Sequence, residues 1–484
     1  MKKWVLIMLS LLLLMTAGCG KKDTPDLPAT ITPGALLENS NSETAEDTTQ
    51  LSPDGNTEEG GEEADAPPVT EDKGDADEEE KDEKPSEEEN AHKGEDTEEG
   101  NDTDADKEED KTPANDADVL AGGLWDGGPV TWEITADGVL TIEGNRSVQP
   151  KKTYIWWDYG DTVTKVVIGE GITNVPEYAF RGMASLREVV LSNTVTTIEE
   201  RAFAGCPALT TITIPASVTM IETSAFSHCK ALQSISFASG GAGLTIGQYA
   251  FAKSGLTSFT APSQLRTIES HAFTQCEQLQ TIRLEGGVST IKARAFESCP
   301  ALQHLVLGQS INDCGGYIFY GCNAITTVEN YSPCLFDEFV QLPNLTTVVL
   351  GGGKTSTGRF YSCPKLTSVT IGGNIGKISD LAFENCPALT SITIPNTVTA
   401  IGDSAFRGTG LGSIVIPASV TTMGRRVFMD TPLDEIVFTG SLPVMDASSS
   451  LAGIFGTAYY PAADPTWTAE ALQNYGGLIT WEAQ

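Results

Sequence analysis

The chain has 484 residues, with 30 Lys plus Arg against 66 Asp plus Glu and a formal net charge of −36. That balance argues against a nucleic-acid binder, whose contact surface must be basic. Length alone would allow two or three ordinary domains. The acidity is concentrated: residues 41–110 hold 31 acids and five lysines, whereas residues 119–484 hold 30 acids and 20 bases.

At the amino terminus Met1, Lys2 and Lys3 precede an apolar run from Trp4 to Met15, followed by Thr16-Ala17-Gly18-Cys19. A basic start, a short apolar stretch and small residues make a secretory signal. The run is shorter than the ~20 residues a spanning helix needs, and no other apolar stretch reaches ~18. Its small-small-Cys ending resembles a bacterial lipoprotein signal, with Thr16 where that family usually has Leu. The resemblance implies cleavage after residue 18 and a lipid on Cys19, which would anchor the chain at the extracellular face of a bacterial cell membrane. The competing reading is an ordinary signal peptide with an incidental cysteine.

Residues 20–118 contain no Phe, Tyr or Trp and are rich in Glu, Asp, Thr, Gly and Pro. Such a segment cannot bury enough apolar surface to offset its chain entropy. Residues 19–118 are therefore expected to be a disordered acidic stalk, with an end-to-end reach of roughly 55 Å before charge repulsion extends it. Asp102, Asp104 and Asp106 alternate as in a calcium loop. Lys107 and Pro113 stand where an EF-hand needs Gly and Glu, so a solvated charge run is the better reading.

From about Val163 the sequence repeats. A marker Phe recurs at 180, 203, 226, 251, 273, 296, 319, 339, 360, 383, 406 and 428, at spacings of 20 to 25 residues. A period near 23 means a solenoid, in which each unit buries its apolar side only against its neighbours. One unit runs Phe203-x2-Cys206-x2-Leu209-x2-Ile212-x-Ile214-Pro215-x2-Val218-x2-Ile221-x3-Ala225-Phe226. Ile212 and Ile214 alternate with Thr211 and Thr213, a short strand with one buried face. Pro215 ends it, and Val218 and Ile221 point inward from an irregular or 3₁₀-like return. The phenylalanines are expected to stack in one interior column.

This consensus resembles the BspA-like, or Treponema pallidum-type, leucine-rich repeat over residues 163–444. The resemblance implies a leucine-rich-repeat solenoid of about 12–13 coils with a parallel sheet on one face. Units shorten around Phe319 to Phe360 and lose the Ile-Pro signal, and Gly240 to Gly243 marks a two-residue insertion. Bulged or reshaped loops are expected there. Residues 119–162 read as an amino-terminal cap: a hairpin of Thr131–Ile134 and Val139–Ile142 around Asp137-Gly138, with Trp125, Trp156 and Trp157 as cap core rather than a carbohydrate platform. Residues 445–484, with Tyr459, Tyr460, Tyr475 and Trp481, read as a closing cap, because open solenoid ends need covering.

Cys206, Cys229, Cys276, Cys299, Cys322, Cys363 and Cys386 each lie three residues after a marker. They read as reduced core thiols, since parallel side chains in one column are poorly aimed for bonding. Cys314 and Cys334 fall at inward return positions and read as core too. No C-x2-C pair supports zinc. His92, His228, His271 and His304 form no ligand motif; His228 and His271 read as exposed loop residues. Gly351-Gly352-Gly353-Lys354-Thr355 is similar to a P-loop, but Val348 stands where the motif needs its first Gly, and the next repeat replaces the required helix. The sequence offers no catalytic site and no cofactor motif, and is read as a non-enzyme.

Two columns of strand residues should face outward. One includes Val190, Thr213, Ser236, Thr260, Arg283, Val306, Glu329, Val349, Thr370, Thr393, Val415 and Val437. Its neighbour runs from Glu188 through Thr211, Ser234, Ser258, Thr281, His304, Thr327, Thr347, Ser368, Ser391 and Ser413 to Glu435. This Thr/Ser/Val face is the candidate partner-binding surface, with Arg283, His304 and Glu329 as its distinctive points. The family resemblance implies adhesion to, or binding of, host, matrix or partner-cell proteins. A glycan is the second candidate ligand, and a structural or polysaccharide-associated envelope scaffold is the alternative role.

Overall fold

A computed structural model describes residues 119–125, 128–334, 336 and 339–484. The signal, Cys19, the acidic stalk with its alternating aspartates, and His92 lie outside these residues. The rest winds as a parallel β-solenoid of about 15 turns. More turns form than the Phe markers count, because unmarked strands extend the coil at both ends. Val139–Glu143 pairs in parallel with Lys165–Ile168, and Phe455–Tyr460 and Leu478–Ala483 continue the ladder after Glu435–Phe438.

Nearly every repeat coil contributes a front strand of three or four residues. In Thr211–Ile214 the isoleucines are buried and the threonines exposed, as alternation across a pleat dictates. The front strands from Ser258–Thr260 to Ser368–Ile371 form one six-stranded parallel run. The segment from Ser391 to Ile394 occupies the same repeat position without completing a strand.

The return is more regular than the irregular or 3₁₀-like path expected of it. Two to four residues of each early return pair in a second parallel sheet, from Asn174–Val175 to Asp313–Cys314, and pairing resumes from Lys377–Ile378 to Thr422–Met423. Each return lies one coil above the last, so its backbone groups find partners at ladder distance. A third ladder runs through the Ala-Phe turn. The Phe180 N–H donates to the Ala202 carbonyl at 2.8 Å, Phe203 to Ala225 at 2.8 Å, and Phe226 to Ala250 at 2.7 Å.

Inside these ladders the marker phenylalanines stack face to face from Phe180 to Phe428, with centroids 5.0 to 6.1 Å apart. Trp156 continues the column at 5.8 Å from Phe180, and its indole N–H donates to the Ala179 carbonyl at 2.7 Å. With buried Trp125 and Trp132 it closes the first coil beneath an antiparallel sheet of Val119–Leu124, Thr131–Thr135 and Val139–Glu143. Trp157 departs from the cap-core reading: it is 37% exposed. At the other end Trp467 and Trp481 pack on Phe438.

The seven column cysteines are free and buried. Each thiol donates to the carbonyl of the preceding coil's marker, as from Cys206 to Phe180 and Cys229 to Phe203, both at 3.1 Å. The column therefore favours a small apolar group that carries a weak donor. Thr409 fills the same place and donates its hydroxyl to its own coil's Phe406 carbonyl at 2.8 Å.

Cys314 and Cys334 correct the expectation of core thiols: they form a disulfide, with Cα atoms 6.4 Å apart. The 20-residue unit between Phe319 and Phe339 puts both cysteines five residues before their markers, on adjacent coils. Cys314 ends the first back-sheet run, so the covalent link stands where that ladder stops. Just after Gly240 to Gly243 the back ladder shifts register, because Leu244 pairs with Leu265 and Thr245 with Thr267, leaving Arg266 of the next coil unpaired.

Phe296→Ala, in mid-column, should lower the unfolding free energy by about 3–5 kcal/mol, measured by guanidinium titration of the whole chain. Thr213→Ala, on the exposed face, should cost under about 1 kcal/mol. Equal losses would show that the Phe column is not the principal core.

Candidate binding face

The strand register places the outward columns as the alternation predicts. Thr213 pairs with Ser236, Thr260 with Arg283, Arg283 with Val306, Val306 with Glu329, and Val349 with Thr370. The second column aligns Thr281 with His304 and His304 with Thr327. Thr213, Ser236, Thr260, Arg283, His304, Thr370 and Thr393 are exposed, and Glu329 is half-buried. Thr393 lies in the segment that completes no strand.

Val306 is the exception among the outward positions, at 3% exposed. Arg283 and Glu329 flank it in the column. Arg283 holds Glu285 at 2.9 Å, and the Tyr331 phenol donates to Glu329 at 3.1 Å. Burial, then the Glu329 bond and the charges of Glu329 and Glu285, push the Tyr331 phenol above its ordinary range. The sequence singled out Arg283 and Glu329 but missed Tyr331 and Glu285, which lie just past the strand ends, outside the two-residue alternation. Elsewhere the face carries mostly hydroxyls and β-branched side chains, with Val190 and Val415 exposed. Part of the threonine enrichment nearby is structural. Thr196, Thr219 and Thr346 donate their hydroxyls to the preceding coil's carbonyls at 3.0, 3.3 and 3.1 Å.

The P-loop-like stretch proves structural. The Lys354 side chain is 2% exposed, and its ammonium donates to the Cys334 carbonyl at 2.9 Å and the Ser332 carbonyl at 3.3 Å. It pins the loop that holds the disulfide, and no helix follows it. Desolvation pushes its pKa down to about 8. His228 is exposed as expected. His271 is not: it is half-buried, stacks on Tyr249 at 4.8 Å and lies 3.6 Å from Glu297. Burial holds its imidazole below the ordinary range, Glu297 opposing and Arg294 adding to the shift. Among the described residues no group of His, Cys, Asp and Glu could hold a metal ion. No helix there is long and apolar enough to cross a membrane.

Repeated short strands, a Leu/Ile/Phe interior and a regular outward face define a leucine-rich-repeat solenoid. The family model described as the BspA type leucine rich repeat region matches six copies, over residues 157–242, 244–335 and 337–449. The chain belongs to the BspA-type leucine-rich-repeat family. No curated protein matches it. Among solved structures it is similar to a leucine-rich repeat protein from Eubacterium ventriosum, at 25% identity over 60% of this chain and 95% of that one, with a TM-score of 0.32. A leucine-rich repeat protein from Bacteroides ovatus is 19% identical over 73% and 98%, with a TM-score of 0.39. A leucine rich cell surface protein from Faecalibacterium prausnitzii is 23% identical over 67% and 96%, with a TM-score of 0.29.

Lys354 generates a pH prediction. Its folded pKa of about 8 lies below the ordinary 10.5, so between these values the unfolded chain binds the extra proton and stability rises with pH. Relative to Lys354→Met, the wild type should gain up to about 3 kcal/mol across that window, read from paired denaturation curves. Parallel curves for the two proteins would contradict the buried, carboxylate-free ammonium.

Proposed function

We propose that the chain is a lipid-anchored bacterial surface protein whose repeat domain binds a partner protein through its front face. The observation that carries this reading is the register of that face. The coils hold two columns of exposed, weakly charged side chains on a backbone fixed by ladders, which gives a broad and pre-ordered surface. The cluster of Arg283, Glu285, Glu329 and Tyr331 adds a polar focus of the Arg and Tyr type that dominates many interfaces. Adhesion to host, matrix or partner-cell proteins is the corresponding role.

In this organisation residues 1–18 are removed, Cys19 carries the lipid, residues 19–118 hold the domain away from the membrane, and residues 119–162 and 445–484 flank repeats 163–444. The signal-like amino terminus and the aromatic-free acidic segment support it.

Binding of the full chain to immobilised matrix proteins and intact partner cells tests the function. Thr370→Glu with Arg283→Ala should weaken binding at least about tenfold by adding charge and removing an anchor. Unchanged binding by that variant would overturn the front-face assignment. No binding to any partner, with envelope association retained, would favour the scaffold role. For the anchor, Cys19→Ser should release the protein from the membrane fraction, and unchanged membrane association would contradict lipidation.

A further inference from the structure

A second surface lies on the turn side of the first coils, away from the front strands. Two residues per coil there have left-handed backbone, two before and two after the marker. Tyr178, Arg201, Ser224, Tyr249, His271 and Arg294 form the first column, with φ from 51° to 59°. In this column the Arg201 guanidinium lies 5.5 Å from the Tyr178 ring centre and donates to its hydroxyl at 2.5 Å. Tyr249 stacks on His271. Ser224 is the small member between Arg201 and Tyr249, and its coil opens into a recess of about 640 Å³, within the size range of ligand clefts.

The recess is chemically unlike the rest of the chain. Arg181, Arg201, His228 and Lys253 line it, and no carboxylate does. Arg201 is partly offset by Glu200 at 3.1 Å. Among the described residues Arg181 and Lys253 have no carboxylate within ion-pair distance. Burial, and after it the charges of Lys253 and Lys230, hold the His228 imidazole below its ordinary range. Ser224 and Ser227 line the wall at 8% and 6% exposed. Neither hydroxyl bonds to another described residue, and neither is among the buried side-chain atoms left without a partner, so both open onto the recess and are free to meet a ligand. Neighbouring recesses extend the site. Arg181 also lines one with Lys151, Lys152 and Trp157, where Glu177 is the one acid, and Lys253 also lines one with Lys230, where Glu277 is the one acid.

We propose that this turn-side groove binds an acidic polysaccharide through its carboxylate or sulfate groups. Guanidinium and ammonium groups supply charge-assisted bonds to such oxygens. The solvent-facing serine hydroxyls suit sugar hydroxyls, and the Tyr249 ring offers an apolar surface for a sugar ring. Arg181 to Lys253 spans three coil steps, about 14 Å at ~4.8 Å each, so one strand of polymer can meet several cations in turn. The site is independent of the front face, and its test does not depend on that reading.

Isothermal titration of the full chain against heparin and polygalacturonate, with dextran and duplex DNA as comparisons, tests this. At least one acidic glycan should bind, dextran should not, and DNA should bind more weakly. Arg181→Ala with Lys253→Ala should reduce glycan affinity at least about tenfold and flatten its salt dependence. Tyr249→Ala should reduce it about three- to tenfold, with Thr422→Ala, on an exposed back-strand position of a distant coil, unchanged. Absence of binding to both acidic glycans, equal binding of dextran or DNA, or full affinity in the double variant would each overturn the proposal.

Discussion

No coil of this protein can satisfy itself. A unit of about 23 residues is too small to bury a Phe, several Leu and Ile side chains and its own backbone polar groups. Each coil therefore hands its hydrogen bonds to the next at the front strand, the return and the Ala-Phe turn. The Phe column runs through the middle of that arrangement and fixes the rise between coils, because stacked rings 5.0 to 6.1 Å apart leave little room for slippage. The column cysteines belong to the same arrangement, since their thiols reach the marker carbonyls of the coil before.

That constraint divides the sequence into positions the stack dictates and positions it leaves free. Inward Ile, Leu, Val and Phe recur because each must match the layer above and below. Exposed residues of the front strand and of the left-handed turn positions answer only to solvent and ligand. The two surfaces that result are opposite in character. The front is long and sparsely charged, with one polar focus at Arg283 and Glu329. The turn side of the first coils is compact and basic, on a domain whose acids outnumber its bases. The proposed protein-binding face and the proposed acidic-glycan groove therefore share no residues.

Most of the fold was legible because its signals are periodic. The Phe spacing located the coils, and alternation at Thr211 to Ile214 assigned the front columns, which the register of Thr213, Arg283 and Glu329 reproduces. What escaped were features set by relations between coils. The back ladder depends on stacking distance, which one unit does not contain. The Cys314–Cys334 bond depends on a short unit bringing two return positions level. His271 is drawn inward by Tyr249 in the neighbouring coil. Tyr331 and the Tyr178–Arg201–Tyr249 column lie outside the strand alternation. The turn column could have been found by reading down the second residue before each marker.

The central claim is that three backbone ladders, not the front sheet alone, hold the coils together. Amide hydrogen exchange on the full chain tests it most directly. Protection is expected at three places in each repeat of the regular coils from Glu188 to Ile291: the front strand, the paired return residues and the Ala-Phe turn. Protection confined to the front strands, with the turns and returns exchanging freely, would contradict it.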